Sequence, residues 1–134
     1  ANTYIVGHSS GAVGIMRLLE TFKVTGAVIV AGCTSHLDDE SEKRAGYYPS
    51  QPGTDVLRPW EWLKMKENAK WIMQFAGEDD QFIPIEEMRE IRDQLDIKKD
   101  YYYEFGKELG KGHFMIKSFP ELLKAVIEKI NIDY

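Results

Sequence analysis

The chain has 134 residues, enough for one domain with a real core, and it reads as a single domain over 1–134. At 43% apolar and 29% charged it is globular rather than disordered, and a net charge of −5 argues against a general nucleic-acid surface. No apolar run is long enough to span a bilayer and no signal peptide is visible, so no membrane association is expected. The lone Cys33 excludes an intramolecular disulfide and fits a reducing, cytoplasmic setting.

The first predicted strand, Thr3–Val6, runs into Gly7-His8-Ser9-Ser10-Gly11 and then into a helix from Gly11 to Phe22. That helix carries Val13, Met16 and Leu18/Leu19 at helical spacing. Strand, tight turn and helix with a serine at the apex is the nucleophile-elbow pattern Gly-x-Ser-x-Gly. The motif alone turns up by accident in roughly one chain in twenty-five of this length. Its glycines lack Cβ atoms, so strand and helix can approach closely there. Ser9 would project over the helix N-terminus, whose dipole favours a developing oxyanion, with the Ser10 N–H as donor. His8 sits beside Ser9 on the elbow, as a packing residue or part of a pocket wall.

A second strand, Gly26–Val30, leads to Cys33, which reads as a packed small residue. Cys33 to Leu57 is the least regular stretch, with turn-like Gly46-Tyr47-Tyr48-Pro49 and Gln51-Pro52-Gly53. Its acidic run, Asp38-Asp39-Glu40 with Glu42, lacks the spacing of a calcium loop and reads as solvated surface. No metal site and no cofactor are expected. A helix from Pro59 through Lys66 carries Trp60, Trp62 and Leu63. Tyr47, Tyr48, Trp60 and Trp62 are candidates for a substrate-facing wall, and core packing is the competing reading of both tryptophans.

The third strand, Trp71–Phe75, opens into Gly77-Glu78-Asp79-Asp80-Gln81-Phe82-Ile83-Pro84, an acid-bearing loop with Phe82 as a further pocket candidate. Pro84 opens the next helix, Ile85 to Leu95, with Ile85, Met88, Ile91 and Leu95 on one face. The fourth strand, Tyr101–Phe105, precedes Gly110-Lys111-Gly112-His113-Phe114. Ser118-x-x-Glu121 reads as a capping box for a last helix, Pro120 to Ile130. Met16, Met65, Met73 and Met88 are expected in the core. Apolar strands alternating with helices indicate βα units and a parallel sheet of about four strands, hence an α/β fold.

Serine, then acid, then histidine is the chain order that a nucleophile elbow requires. Asp80 is preferred to Asp79 as the acid for its distance from the Ile83-Pro84 pair. Neutral His113 could take the Ser9 proton while Asp80 fixes its tautomer. His36 lies in a polar loop away from any strand end. A nucleotide-binding fold is weakly supported, because Gly7-x-x-x-Gly11 matches neither phosphate-binding glycine pattern.

Gly7-His8-Ser9-Ser10-Gly11, Arg58-Pro59-Trp60, Asp79-Asp80-Gln81-Phe82-Ile83-Pro84 and Gly112-His113-Phe114 together resemble the small serine hydrolases related to retinoblastoma-binding protein 9 and bacterial YdeN. The resemblance implies an α/β-hydrolase fold without a large lid and a Ser-Asp-His triad at Ser9, Asp80 and His113. It implies no defined natural substrate. The retinoblastoma-binding pattern Leu-x-Cys-x-Glu does not occur in these residues, so that interaction is not carried over. The family has a further N-terminal portion with parallel strands and a Gly-rich loop expected to donate a second oxyanion N–H. The chain, starting at Ala1, is therefore expected to be a fragment, a truncated product or one part of a processed protein.

The expected function is hydrolysis of a small ester or amide through an acyl-enzyme. With one oxyanion donor missing, the chain alone would turn over roughly a hundred- to a thousandfold more slowly. The alternative is a catalytically impaired, hydrolase-like interaction module. Tyr4, Ile5 and Val6 carry no charged gatekeeper, so the elbow strand is expected to be an apolar edge. Two-fold pairing into a homodimer across that edge is one way to cover it, and reassociation with an N-terminal portion is another.

Overall fold

A computed structural model describes residues 2–133. Four strands, β1 (Tyr4–His8), β2 (Val24–Val30), β3 (Ala69–Gly77) and β4 (Tyr102–Phe105), form one parallel sheet in the order β1-β2-β3-β4. Register is continuous: Val6 pairs with Val28, Val28 with Met73, and Phe75 with Tyr103. Helices α1 (Ser10–Leu19), α3 (Trp62–Glu67), α4 (Ile85–Gln94) and α5 (Pro120–Asp133) supply the covering layers. A short helix, α2 (Glu40–Arg44), stands in the β2–α3 connection.

The period of two in the central strands explains why both faces of the sheet are dry. Ala27 and Ile29 of β2 pack with Ala12, Met16 and Leu19 of α1, Met65 of α3 and Ile91 of α4. The alternate residues Val28 and Val30 pack with Met73, Phe75 and Ala125 of α5. Phe75 stacks on Tyr103 at 4.7 Å and meets Phe119 edge-on at 5.1 Å, so α5 is docked by aromatic contacts. Met16, Met65, Met73 and Met88 are all fully buried, in keeping with their core role.

Several element ends shift by a few residues from the sequence reading, and three differences have a clear physical cause. Pro59 does not open α3, which starts at Trp62. Residues 58–61 are instead tied down by tertiary bonds: the Trp60 indole N–H donates to the Thr34 carbonyl at 2.9 Å and the Glu61 N–H to Glu20 Oε2 at 2.8 Å. The capping box is displaced, because the Phe119 carbonyl accepts from the Leu123 N–H, which makes Phe119 the cap and Pro120 the first helical residue. Glu121 pairs with Lys111 at 3.3 Å. Finally, the stretch after Cys33 is not wholly irregular, since Asp39 caps α2 by accepting from the Ser41 and Glu42 N–H groups.

All four strand C-termini open on the same edge, as parallel topology requires. The loops after β1, β3 and β4, carrying Ser9, Asp80 and His113, therefore converge there.

Candidate active site

Ser9 sits between β1 and α1 with φ 58° and ψ −120°, a conformation that side-chain-bearing residues rarely adopt and that costs about 1–3 kcal/mol. Its N–H is held by the Val30 carbonyl at 2.9 Å, while its own carbonyl already accepts the first helical bond, from Ala12. Gly7 makes the sharp turn feasible, because a Cβ there would collide with the Gly11 backbone and lie 2.6 Å from Ile15 Cδ1. Gly11 does not share that role: a Cβ on it would meet open space. The close approach is made by the backbone of Gly11, not by its missing side chain.

His113 Nε2 lies 2.8 Å from Ser9 Oγ, and His113 Nδ1 lies 2.7 Å from Asp80 Oδ2. With Asp80 ionised, Nδ1–H donates to the carboxylate and Nε2 is left to accept the Ser9 hydroxyl proton. Asp80's other oxygen accepts from the backbone N–H groups of Phe82 and Ile83, each at 2.9 Å. Its side chain is fully buried, and burial pushes its pKa upward. The hydrogen bonds from His113, Ile83 and Phe82 outweigh that effect and hold the carboxyl below its ordinary range. Asp79 acts elsewhere, since its Oδ1 accepts from the Gly112 N–H at 2.9 Å and so ties the acid loop to the histidine loop. A Cβ on Gly77 would strike the Gly112 carbonyl, so these two loops meet through bare backbone.

The other residues singled out in the sequence are spread around this centre. Ser10 is the first residue of α1, where a helix leaves its N–H groups without internal acceptors. His8 is exposed, with its ring 5.0 Å from the His113 ring and its Nε2–H donating to the His113 carbonyl at 2.6 Å, and it is not part of the cavity wall at Ser9. Phe82 is 55% exposed and meets the His113 ring edge-on at 5.0 Å. It belongs to a cavity of about 390 Å³ whose wall also includes Ser9, Cys33, Leu37, His113 and Met115. Tyr47, Tyr48, Trp60 and Trp62 do not line that cavity. Tyr48 lies behind it, buried, with its hydroxyl 3.2 Å from Cys33 Sγ. Burial pushes the Cys33 thiol up to about 11, against the lowering effect of the Tyr48 hydrogen bond, so it is protonated near neutrality. The Trp60 ring lies 5.8 Å from that of Trp62, the Arg17 guanidinium sits 3.6 Å over Trp60, and both tryptophans pack half-buried against the core.

Two arrangements were not legible as site features. Glu42, read as solvated surface, is half-buried and its Oε1 accepts a hydrogen bond from the Ser10 hydroxyl. Its Oε2 is buried and without a hydrogen-bond partner among the described residues. Behind the site, Glu20 is 4% exposed and binds both Arg17 and Arg58 at 2.9 Å. Arg17 also donates to the carbonyl of Tyr47 at 2.8 Å, so this cluster straps residues 47–61 to α1. The Arg17/Glu20 spacing of three on an apolar helix was the available signal. Among the described residues no group of three or more His, Cys, Asp and Glu side chains could hold a metal ion, and no helix is long and apolar enough to cross a membrane.

No family model matches the chain. Among known proteins it is similar to serine hydrolase RBBP9 of Rattus norvegicus, 41% identical over 124 residues, covering 92% of the chain and 59% of the relative. The chain thus spans about three fifths of that protein's length. In fold it is similar to the ydeN gene product of B. subtilis, with a TM-score of 0.69 and 23% identity over 96% of this chain and 66% of that one. It is also similar to the Pyrococcus furiosus esterase Pf2001, with a TM-score of 0.59 and 17% identity over 94% of this chain and 51% of that one. The four-stranded parallel sheet with flanking helices and the likeness to these solved structures give this chain an α/β-hydrolase fold, and in sequence it is similar to serine hydrolase RBBP9 over most of its own length.

Proposed function

We propose that the chain carries the nucleophile, base and acid of a serine hydrolase that cleaves a small ester or amide through an acyl-enzyme. The observation that carries this reading is the unbroken hydrogen-bonded series Ser9 Oγ, His113 Nε2, His113 Nδ1 and Asp80 Oδ2, at 2.8 and 2.7 Å. Ser9 attacks the carbonyl as its proton passes to His113 Nε2; Asp80 stabilises the imidazolium without taking the proton. The N–H of Ser10 meets the oxyanion at the positive end of α1. His113 then protonates the leaving group, and water repeats the sequence to release the acid. The apolar wall of Phe82, Leu37 and Met115 suits a short aliphatic acyl group. Hydrolysis of p-nitrophenyl butyrate tests this directly. Turnover is expected from the chain and is expected to vanish in Ser9→Ala; equal rates in the two would refute the assignment of Ser9.

A second reading is motivated by β1, an edge strand in which Val6 is 54% exposed. We propose that this edge is covered in solution, by two-fold pairing with a second copy or by a further strand of the same fold. A module that used the edge for partner binding alone would show no Ser9-dependent turnover. Sedimentation of the chain checks the edge itself. Pairing is expected to yield a dimer that Val6→Lys converts to monomer, and a stable monomer in the unaltered chain would exclude self-pairing.

A further inference from the structure

Glu42 is fixed at an electrostatically sensitive place. It reaches from α2 to the first residue of α1, and the Ser10 hydroxyl that donates to it adjoins the nucleophile candidate Ser9. The residue lines the same cavity as Ser9 and His113. Asp39 lines it too, and neither Lys nor Arg does. The nearest cation on α2, Lys43, is engaged elsewhere, with Asp38 at 2.6 Å and Glu40 at 3.3 Å. The remaining polar groups of the wall supply no fixed cation: His113 is hydrogen-bonded to Ser9 and Asp80, and the Cys33 thiol is neutral near neutrality.

The two acids in the cavity wall are not equivalent. Asp39 is exposed, and its Oδ1 is spent on capping α2. Water and salt screen it effectively. Glu42 is half-buried, with one oxygen shut away from solvent and without a hydrogen-bond partner among the described residues. Its field therefore reaches the cavity through a poorly polarisable medium. An acyl group that brings its own negative charge is repelled by that field on entering the cavity, whereas the field at the oxyanion beside Ser10 is common to all esters and cancels when two esters are compared.

We propose that Glu42 is a specificity-determining residue of this site: its carboxylate, held beside the elbow by the Ser10 hydroxyl, selects against negatively charged acyl groups and admits neutral or cationic ones. This rests on the hydrolase reading and narrows its substrate class. Matched p-nitrophenyl esters test it, the neutral butyrate against the anionic hemisuccinate, with kcat/KM measured for the chain, Glu42→Gln and Asp39→Asn at low and moderate salt. The ratio of the two esters within one protein is independent of how much of that protein is folded. Glu42→Gln keeps an oxygen for Ser10 and removes the charge. The chain is expected to favour butyrate, Glu42→Gln to narrow that preference about tenfold, and added salt to narrow it in the unaltered chain. Asp39→Asn is expected to change it much less. Equal changes on both esters in Glu42→Gln would make Glu42 a structural latch and overturn the proposal, as would a hemisuccinate preference in the chain. Turnover of neither ester would overturn the hydrolase reading itself, a result distinct from turnover without discrimination.

Discussion

Asp80→Asn is expected to lower ester turnover about 10⁴-fold while the fold survives. The asparagine can keep an oxygen toward the Phe82 and Ile83 N–H groups, which Asp80 Oδ1 now holds at 2.9 Å. Its NH₂ would then face His113 Nδ1 and force that nitrogen to act as the acceptor. The proton would move to Nε2, the atom that must accept from Ser9 at 2.8 Å. A base in the wrong tautomer cannot take the serine proton, although all three side chains remain in place. Steady-state kinetics with a neutral ester, alongside circular dichroism, separates this from unfolding. A loss smaller than tenfold would show that Asp80 does not set the tautomer.

The same carboxyl has a stability signature. Its pKa in the folded protein lies below its unfolded value, so the carboxylate favours the folded state at every pH above the unfolded value, about 4. That contribution is lost as pH falls from there through the folded value. Denaturant midpoints measured between pH 7 and pH 3 are expected to drop for the chain below about pH 4, and less steeply for Asp80→Asn. Parallel curves would contradict the assignment of the shift to Asp80.

The second large effect is structural. Glu20→Ala is expected to destabilise the protein by about 3–5 kcal/mol, because it leaves the buried Arg17 guanidinium without its carboxylate and beside Arg58, whose remaining partner is Glu61 at 3.5 Å. Glu20 binds Arg17 and Arg58 at 2.9 Å each, and the Arg17 side chain is only 11% exposed. Both oxygens are in use, since Oε2 also accepts from the Glu61 N–H. A typical domain has about 5–15 kcal/mol of stability in all, so the variant should unfold at much lower denaturant. Residues 47–61 should loosen first. The more exposed pair Arg89–Glu104, also at 2.9 Å, supplies the contrast: solvent screens it, so Glu104→Ala should shift the urea midpoint far less than Glu20→Ala. Equal midpoints for the two variants in urea would contradict the buried-strap account.

The features legible in the sequence are those set by local pattern. Apolar runs marked the four strands, and glycine around a serine marked the elbow, because backbone geometry there admits few residues. Asp80 and His113 were legible by their order and by the strand-end loops that carry them. Ser9, Asp80 and His113 are far apart in sequence, yet parallel topology brings every strand's C-terminal end to one edge, so order alone implied proximity. Helix α2 was not legible, because Glu-Ser-Glu-Lys-Arg has no apolar period and its only signal is the Asp39 cap. Glu42 was misread for a related reason. Its partner, Ser10, lies 32 residues away, and a carboxylate looks solvated until a distant hydroxyl is known to reach it. The Trp60 and Trp62 alternatives turned on distant contacts the sequence does not display: Arg17 covers the Trp60 ring, and neither tryptophan lines the cavity at Ser9.

Reaction with a fluorophosphonate, followed by mass-spectrometric mapping of the adduct, tests the central claim most directly. The geometry predicts a single covalent adduct on Ser9, absent in Ser9→Ala and strongly slowed in His113→Ala. No adduct on the folded chain, or an adduct on Ser10 in place of Ser9, would contradict it.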